Sequence, residues 1–110
     1  MVRELTIMSP QPLDLIHVVT GAAAVDPAYG LRSVLDDGAT QIVDADGALL
    51  ATVFRTRGIE VRSEILRLLG RADDDWHFRT EVFVPDGASR GEVVASRIAA
   101  EVDGDLVAPV

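Results

Sequence analysis

The chain of 110 residues is long enough for one domain with its own core, and it has a globular composition, with 48% hydrophobic and 25% charged residues. It contains no cysteine, which excludes disulfides, thiol nucleophiles and cysteine-ligated metal centres. Its 18 acidic and 10 basic residues give a formal charge of −8, which disfavours binding to nucleic acid or to an anionic membrane surface. No unbroken apolar run reaches the ~18 positions that a membrane span requires.

All ten basic residues are arginine, and alanine, valine and aspartate are abundant. This usage is typical of a genome rich in G and C and suggests a bacterial origin. The apolar patch near Ile7 is shorter than the core of a secretory signal, so we expect a cytoplasmic protein. No internal repeat or linker divides the chain, and we expect a single domain over residues 1–110.

The first part of the chain predicts a strand followed by a helix. Residues 3–8 alternate polar and apolar side chains, as a half-buried strand does. Ser9 can cap a helix over about residues 11–24, because proline is tolerated in a first turn. The inner stripe of that helix would be Leu13, Ile16, Thr20 and Ala23.

Residues 30–54 predict strands. Residues 30–35 fit a short edge strand, and residues 40–54 fit a hairpin that turns at Asp46-Gly47, because glycine readily adopts the positive φ that such a turn needs. The hairpin register would pair Val43 with Leu50 and Gln41 with Thr52. Both faces of the hairpin then carry apolar side chains.

The second half predicts helix, strand, helix and tail. A helix over residues 59–69 would end at Gly70; its inner stripe would be Val61, Ile65, Leu68 and Leu69. The strand over residues 76–84 would place one set of side chains on one face: Trp76, Phe78, Thr80, Val82 and Val84. Ser89 and Glu92 match a capping box, and the helix that follows, ending near Gly104, would turn Val94, Ala95, Ile98, Ala99 and Val102 inward. Residues 106–110 form an extended tail that can add a short strand.

The order of these elements predicts an α+β fold of the ferredoxin-like (βαββαβ) kind, an antiparallel sheet with helices packed on it, and an extra C-terminal helix. Apolar side chains on both sides of the strands indicate that the second sheet face is also covered. Either the last helix or another chain could cover it, and a homodimer is one form of the second possibility.

Four residues form a candidate site for an anionic ligand: Arg55, Arg57, His77 and Arg79. Arg55 and Arg57 flank the predicted entry to the second helix, where free N–H groups favour anions, and two guanidinium groups can form a fork around a carboxylate or phosphate. The alternative interpretation is that these arginines balance nearby acids at a strand end. The turn holds only Gly58 rather than a glycine-rich phosphate cradle.

No motif predicts catalysis, a cofactor or a metal. The two histidines, His17 and His77, have no serine and carboxylate at a spacing that marks a catalytic group, and no G-x-S-x-G, P-loop or G-x-G-x-x-G occurs. Asp73 to Asp75 with His77 are metal-ligand types, but their spacing fits no calcium loop. We therefore predict no catalytic residue and no metal site, and an enzyme is the less favoured class.

The candidate surface for a protein partner is Asp73, Asp74, Asp75 and Trp76. Exposed aspartates would steer a basic partner toward the protein, and a surface tryptophan would serve as an interface hot spot. In the competing interpretation, Trp76 is a packing anchor in the core and the aspartates form a solvated loop.

Two functional hypotheses follow, and a third possibility is a subunit that only completes a larger assembly. The first is a non-catalytic acidic protein that binds another, basic protein, in the manner of an inhibitor or a toxin-immunity protein. The second is a homodimer that binds or transforms a small anionic metabolite through Arg55, Arg57, His77 and Arg79.

Overall fold

The computed structural model describes residues 2–109, so Val110 of the predicted tail lies outside the described residues. This part of the chain has the predicted α+β character, with three helices and one antiparallel sheet of seven strands. The strands are β1 (Arg3–Ser9), β2 (Gly30–Val34), β3 (Ala39–Val43), β4 (Leu49–Phe54), β5 (Arg57–Gly58), β6 (Phe78–Val84) and β7 (Asp105–Val107). The helices are α1 (Leu15–Val25), α2 (Arg62–Leu69) and α3 (Ser89–Glu101).

The strands lie in the order β2-β3-β4-β6-β1-β7, and β5 pairs with β6 outside this path. All pairings are antiparallel. The predicted ferredoxin-like arrangement is not confirmed, because its split β-α-β unit encloses a single strand, whereas three strands separate β1 from β2 here. In the hairpin, Gln41 pairs with Thr52 as predicted, but Val43 pairs with Leu49 rather than Leu50 because the ladder shifts there by one residue.

The larger core lies between one face of the sheet, here the first face, and the helices α1 and α3. The predicted inward residues of α3 are confirmed: Val94, Ala95, Ile98, Ala99 and Val102 are all buried. They pack against first-face residues of the sheet that include Leu5, Ile7, Ile42, Val53 and Val82. The last helix therefore covers the first face and not the second.

Two glycines allow the helices to approach their neighbours closely. A Cβ on Gly91 of α3 would lie 1.9 Å from the carbonyl oxygen of Leu50 in β4. A Cβ on Gly21 of α1 would lie 2.7 Å from Ile98 Cγ1 and 2.9 Å from Ile98 Cα. Both contacts are too short for any side chain, so these positions require glycine.

Helix α2 packs on the opposite side of the sheet, here the second face. Its residues Ile65 and Leu69 form a smaller core with Met8 of β1 and with Trp76, flanked by Ile59 and Val107. Met8 reaches this side because successive side chains of β1 point to opposite faces of the sheet. Since α2 has only eight residues, much of the second face toward β4 remains uncovered.

Several predicted helix details are wrong. α1 begins at Leu15 with Asp14 as its N-cap, while Ser9 is a buried residue of β1. The inner side of α1 holds Val18, Gly21 and Ala22, and the Ile16 side chain is 64% exposed. The small residues are the ones that face α3, so the spacing of the large residues did not mark the inner face.

The predicted start of α3 is also corrected. The N-cap of α3 is Ala88 and makes no side-chain cap bond, so Ser89 and Glu92 form no capping box. The Glu92 carboxylate instead accepts a hydrogen bond from the Arg3 guanidinium at 2.6 Å. Of the inner stripe predicted for the second helix, Ile65 and Leu69 are buried, whereas Leu68 is exposed and Val61 is an exposed residue that precedes α2.

None of the helices within residues 2–109 is both long enough and apolar enough to cross a membrane.

Candidate functional site

Strand pairing brings two of the predicted arginines together on the second face. Two residues separate Phe54 from β5, where Arg57 is the register partner of Arg79 in β6. Directly opposed residues of an antiparallel pair project to the same face, with Cβ atoms about 5 Å apart. The predicted position of Arg55 and Arg57 at a helix entry is wrong, because β5 intervenes and α2 begins only at Arg62.

Arg55 joins the pair through the turn between β2 and β3. Its backbone N–H donates to the Gly38 carbonyl oxygen at 3.1 Å, and its guanidinium donates to the Asp37 carbonyl oxygen at 3.1 Å. Arg55, Arg57 and Arg79 together line a cavity of about 310 Å³ on the second face. We call it the arginine cavity; its other lining residues are Leu35, Asp36, Gly38, Phe54 and Glu81.

The charge balance of the arginine cavity favours an anion. Within residues 2–109, the guanidinium groups of Arg57 and Arg79 form no ion pair and no hydrogen bond, although the chain has a large excess of acids. Asp36 and Glu81 line the same cavity without closing on either group to ion-pair distance. Each unpaired guanidinium keeps its planar fork of donors available for a carboxylate or phosphate.

The turn that borders the arginine cavity has an unusual backbone. Leu35, Asp36 and Asp37 have φ values of 55°, 51° and 68°, in the left-handed region that costs a non-glycine residue roughly 1–2 kcal/mol. The Gly38 N–H donates to the Leu35 carbonyl oxygen at 2.9 Å and closes the turn. Backbone strain of this kind clusters at binding sites, where the surrounding structure holds it in place.

His77 does not join the three arginines. It precedes β6, and its backbone bridges β1 and the segment after β5: its N–H donates to the Ser9 carbonyl oxygen, and its own carbonyl accepts from the Ile59 N–H. Its imidazole Nδ1 lies 3.3 Å from an Arg62 guanidinium nitrogen. The structure therefore brings together three of the four predicted anion-binding residues, and His77 is not among the residues lining the arginine cavity.

The predicted partner-binding residues separate into an exposed loop and a buried indole. Asp73, Asp74 and Asp75 are all exposed, and the Asp73 carboxylate accepts the Asp75 backbone N–H at 3.0 Å. Trp76 is only 2% exposed and belongs to the smaller core, so the structure agrees with a packing anchor and not with a surface contact. Trp76 was predicted to share a face with Phe78, but it precedes β6 and its side chain lies on the other side of the sheet.

No sequence pattern marks the residue that holds Trp76 in place. The indole Nε1–H donates to the Asp105 carboxylate at 2.9 Å, and the Arg71 guanidinium lies 4.8 Å from the centre of the indole ring. Arg71 also pairs with Asp105 at 3.4 Å. Asp105 is the first residue of β7, and no local pattern relates it to a tryptophan so far away in the chain.

An aromatic pair on the second face was also missed. Phe54 and Phe83 contact edge to face, with ring centroids 4.9 Å apart, beside the arginine cavity. Alternation along residues 76–84 already places Phe83 on the same face as Arg79. Its contact with Phe54 depends on the pairing of β4 with β6, which the sequence pattern does not specify.

The described side chains offer binding groups more clearly than reacting groups. His17 Nδ1 accepts the Asp14 backbone N–H at 2.9 Å and thereby caps α1. In residues 2–109, neither imidazole is hydrogen-bonded to a hydroxyl or a carboxylate. The same residues contain no group of three or more histidine, aspartate or glutamate side chains placed to hold a metal ion.

Comparisons with protein-family models, with curated proteins and with solved structures gave no match for this chain.

Proposed function

We propose that the protein binds a small anionic ligand in the arginine cavity. The observation that carries this proposal is the convergence of Arg55, Arg57 and Arg79 on one cavity, with two of the three guanidinium groups unpaired among the described residues. Like charges held this close repel each other, and an anion between them converts repulsion into charge-assisted hydrogen bonds. A cavity of about 310 Å³ lies at the lower end of the size range of small-molecule sites.

Thermal denaturation in the presence of anions tests this proposal. Inorganic phosphate, citrate and acetate would each be compared with sodium chloride at equal ionic strength. A ligand that binds only the folded state stabilises it by about 2.7 kcal/mol at a hundredfold excess over Kd, which corresponds to roughly 10 °C in Tm for a domain of this size.

Matched arginine variants locate the site. Arg57→Gln and Arg79→Gln are expected to remove most of the anion-induced shift, because each deletes one unpaired guanidinium from the cavity. Arg97→Gln serves as the control, since Arg97 lies on α3 and already pairs with Glu101 at 3.3 Å. Anion stabilisation that is absent, or that Arg97→Gln reduces as much as Arg57→Gln does, would contradict the proposal.

A second candidate function is binding of a basic protein through the acidic loop, as an inhibitor or immunity protein would bind. The observation that favours it is a clustering of acids at one end of the sheet. The bond from Trp76 to Asp105 brings the loop before β7 next to residues 73–75. Because β3, β6 and β7 run in the same direction, the acidic loops before all three strands lie at this end.

The test of this second candidate is an association rate. A basic protein from the native host would first be captured on the immobilised chain. Its association rate would then be measured at low and at high salt. Asp74→Asn, and the triple change that also replaces Asp73 and Asp75, should slow association and flatten its salt dependence, since steering is electrostatic. Asp46→Asn, at the opposite end of the sheet, is the control. Unchanged on-rates in the triple variant would remove this candidate.

A further inference from the structure

A second cavity adjoins the arginine cavity and has a different character. It has a volume of about 320 Å³ and lies between α2 and the second face of the sheet. We call it the apolar groove. Its apolar lining consists of Ile65, Leu68 and Leu69 of α2, together with Phe83 and Pro109.

The two cavities are neighbours. Arg79 and Glu81 line both of them. Phe54 lines the arginine cavity and Phe83 lines the apolar groove, and the two rings are in contact at 4.9 Å between centroids. A molecule bound between the arginines can therefore extend past Arg79 over the aromatic pair and along α2 without leaving the protein surface.

Carboxylates in the apolar groove restrict where the ligand can carry charge. Glu4 and Glu81 line the groove, and no arginine other than Arg79 does. A second anionic group at the far end of a ligand would meet these carboxylates without a compensating cation. The groove thus favours a ligand with one anionic end and one apolar end.

Resting on the proposed function, we infer that the ligand is a free amphipathic monocarboxylate, with its carboxylate among Arg55, Arg57 and Arg79 and an aliphatic chain in the apolar groove. Leu68 supports this assignment. Its side chain is 39% exposed although its position in the helix pattern predicts burial, and it lines the groove. An alkyl chain along α2 would cover it.

Calorimetric titration with a series of short carboxylates tests the inference, using acetate, butanoate and octanoate below the micelle concentration. Full burial of a methylene strengthens binding about fourfold, from about 0.8 kcal/mol per CH₂. For a groove open on one side, octanoate should therefore bind at least about tenfold more tightly than butanoate. Octanedioate, of equal length but with a second carboxylate, should bind at least about tenfold more weakly than octanoate.

Two leucines of α2 provide matched variants. Leu68→Asn should weaken octanoate binding about fivefold or more and leave acetate binding unchanged, because acetate does not reach the groove. Leu66→Asn is the control: Leu66 is on the same helix and 53% exposed, but it does not line the groove. Thermal denaturation of both variants without ligand verifies that they are folded.

The outcomes separate this inference from the function on which it rests. If acetate or phosphate binds at the arginines but affinity does not grow with chain length, the anion site stands and the amphipathic ligand is refuted. If octanoate binds equally well to the Arg57→Gln variant, its carboxylate is not held by the arginines, and the inference is also refuted. If no anion binds, both fail. Chain-length dependence that is lost in Leu68→Asn and kept in Leu66→Asn supports the inference.

Discussion

Replacing Trp76 with phenylalanine is expected to destabilise the protein by about 3 kcal/mol. The indole is buried in the smaller core between Met8, Ile65 and Leu69, and its Nε1–H donates to the Asp105 carboxylate at 2.9 Å. Phenylalanine keeps much of the apolar contact but has no donor. The loss of stability in this variant therefore measures the hydrogen bond and the bulk of the second ring, because the rest of the packing is kept.

The magnitude follows from three contributions. A hydrogen bond to a charged group contributes about 1.5–3 kcal/mol, and the lower end applies because Asp105 keeps its pairing with Arg71 at 3.4 Å. Arg71 lies 4.8 Å from the indole centre, and weakening this exposed cation–π contact costs about 0.5 kcal/mol. The smaller ring leaves a partial cavity, which costs about 1 kcal/mol if the neighbouring side chains relax partly.

Urea unfolding followed by far-UV circular dichroism measures this change, since Trp76 is the only tryptophan and its fluorescence is lost in the variant. A double-mutant cycle with Asp105→Ala, which removes the acceptor, should give a coupling energy of about 1 kcal/mol, because the two side chains share the bond. Arg71→Gln alone should cost less than about 1 kcal/mol, as expected for an exposed pair. A Trp76→Phe variant within 0.5 kcal/mol of the wild type, or an additive cycle, would refute the reasoning.

Two further stability predictions follow from backbone geometry, and both are measured by urea unfolding. Gly91→Ala should destabilise the protein by about 3 kcal/mol or more, since the new Cβ would overlap the carbonyl oxygen of Leu50. Gly58→Ala is the control and should change the stability by no more than about 0.5 kcal/mol, because no atom lies within 4 Å of its Cβ position. Equal effects of the two changes would contradict the close packing of α3 on β4. Leu35→Gly should stabilise the protein by about 1 kcal/mol, because glycine adopts φ 55° without strain, and Leu35→Ala should not stabilise it. The Leu35 side chain is 69% exposed, so stabilisation by both changes would instead indicate that removing an exposed apolar side chain is the cause.

The sequence predicted the inner faces of elements best where large apolar residues alone determine packing. In α3 the spacing of Val94, Ile98 and Val102 identifies the buried side correctly. In α1 it fails, because Gly21 and Ala22 form the contact with α3 while Ile16 faces solvent. Close approach of helices through small residues leaves no large apolar residue at those positions to indicate the inner face.

The sheet order and the composition of the site depend on pairing between distant strands. Alternation shows that Arg79 and Phe83 share a face, but not that Arg57 lies opposite Arg79 or that Phe54 contacts Phe83. Arg55 and Arg57 are candidates in the sequence because of a predicted helix entry that the structure does not have; the pairing of β5 with β6 is what brings Arg57 to Arg79. Alternation along residues 76–84 also predicts one face for His77 and Arg79, but His77 does not join the site because β6 begins only at Phe78.

The position of β1 in the sheet has a consequence for how the chain acquires its structure. The neighbours of β1 are β6 and β7, and its register joins Arg3 to Val84 and Thr6 to Val107. A strand whose partners come from the other end of the chain closes large loops when it pairs, which makes folding slow. During synthesis β1 leaves the ribosome with Leu5 and Ile7 uncovered and remains unpaired until Phe78 and the residues after it emerge. A fragment that stops before Phe78 therefore exposes an apolar strand with free edges, which is a template for aggregation in the cell.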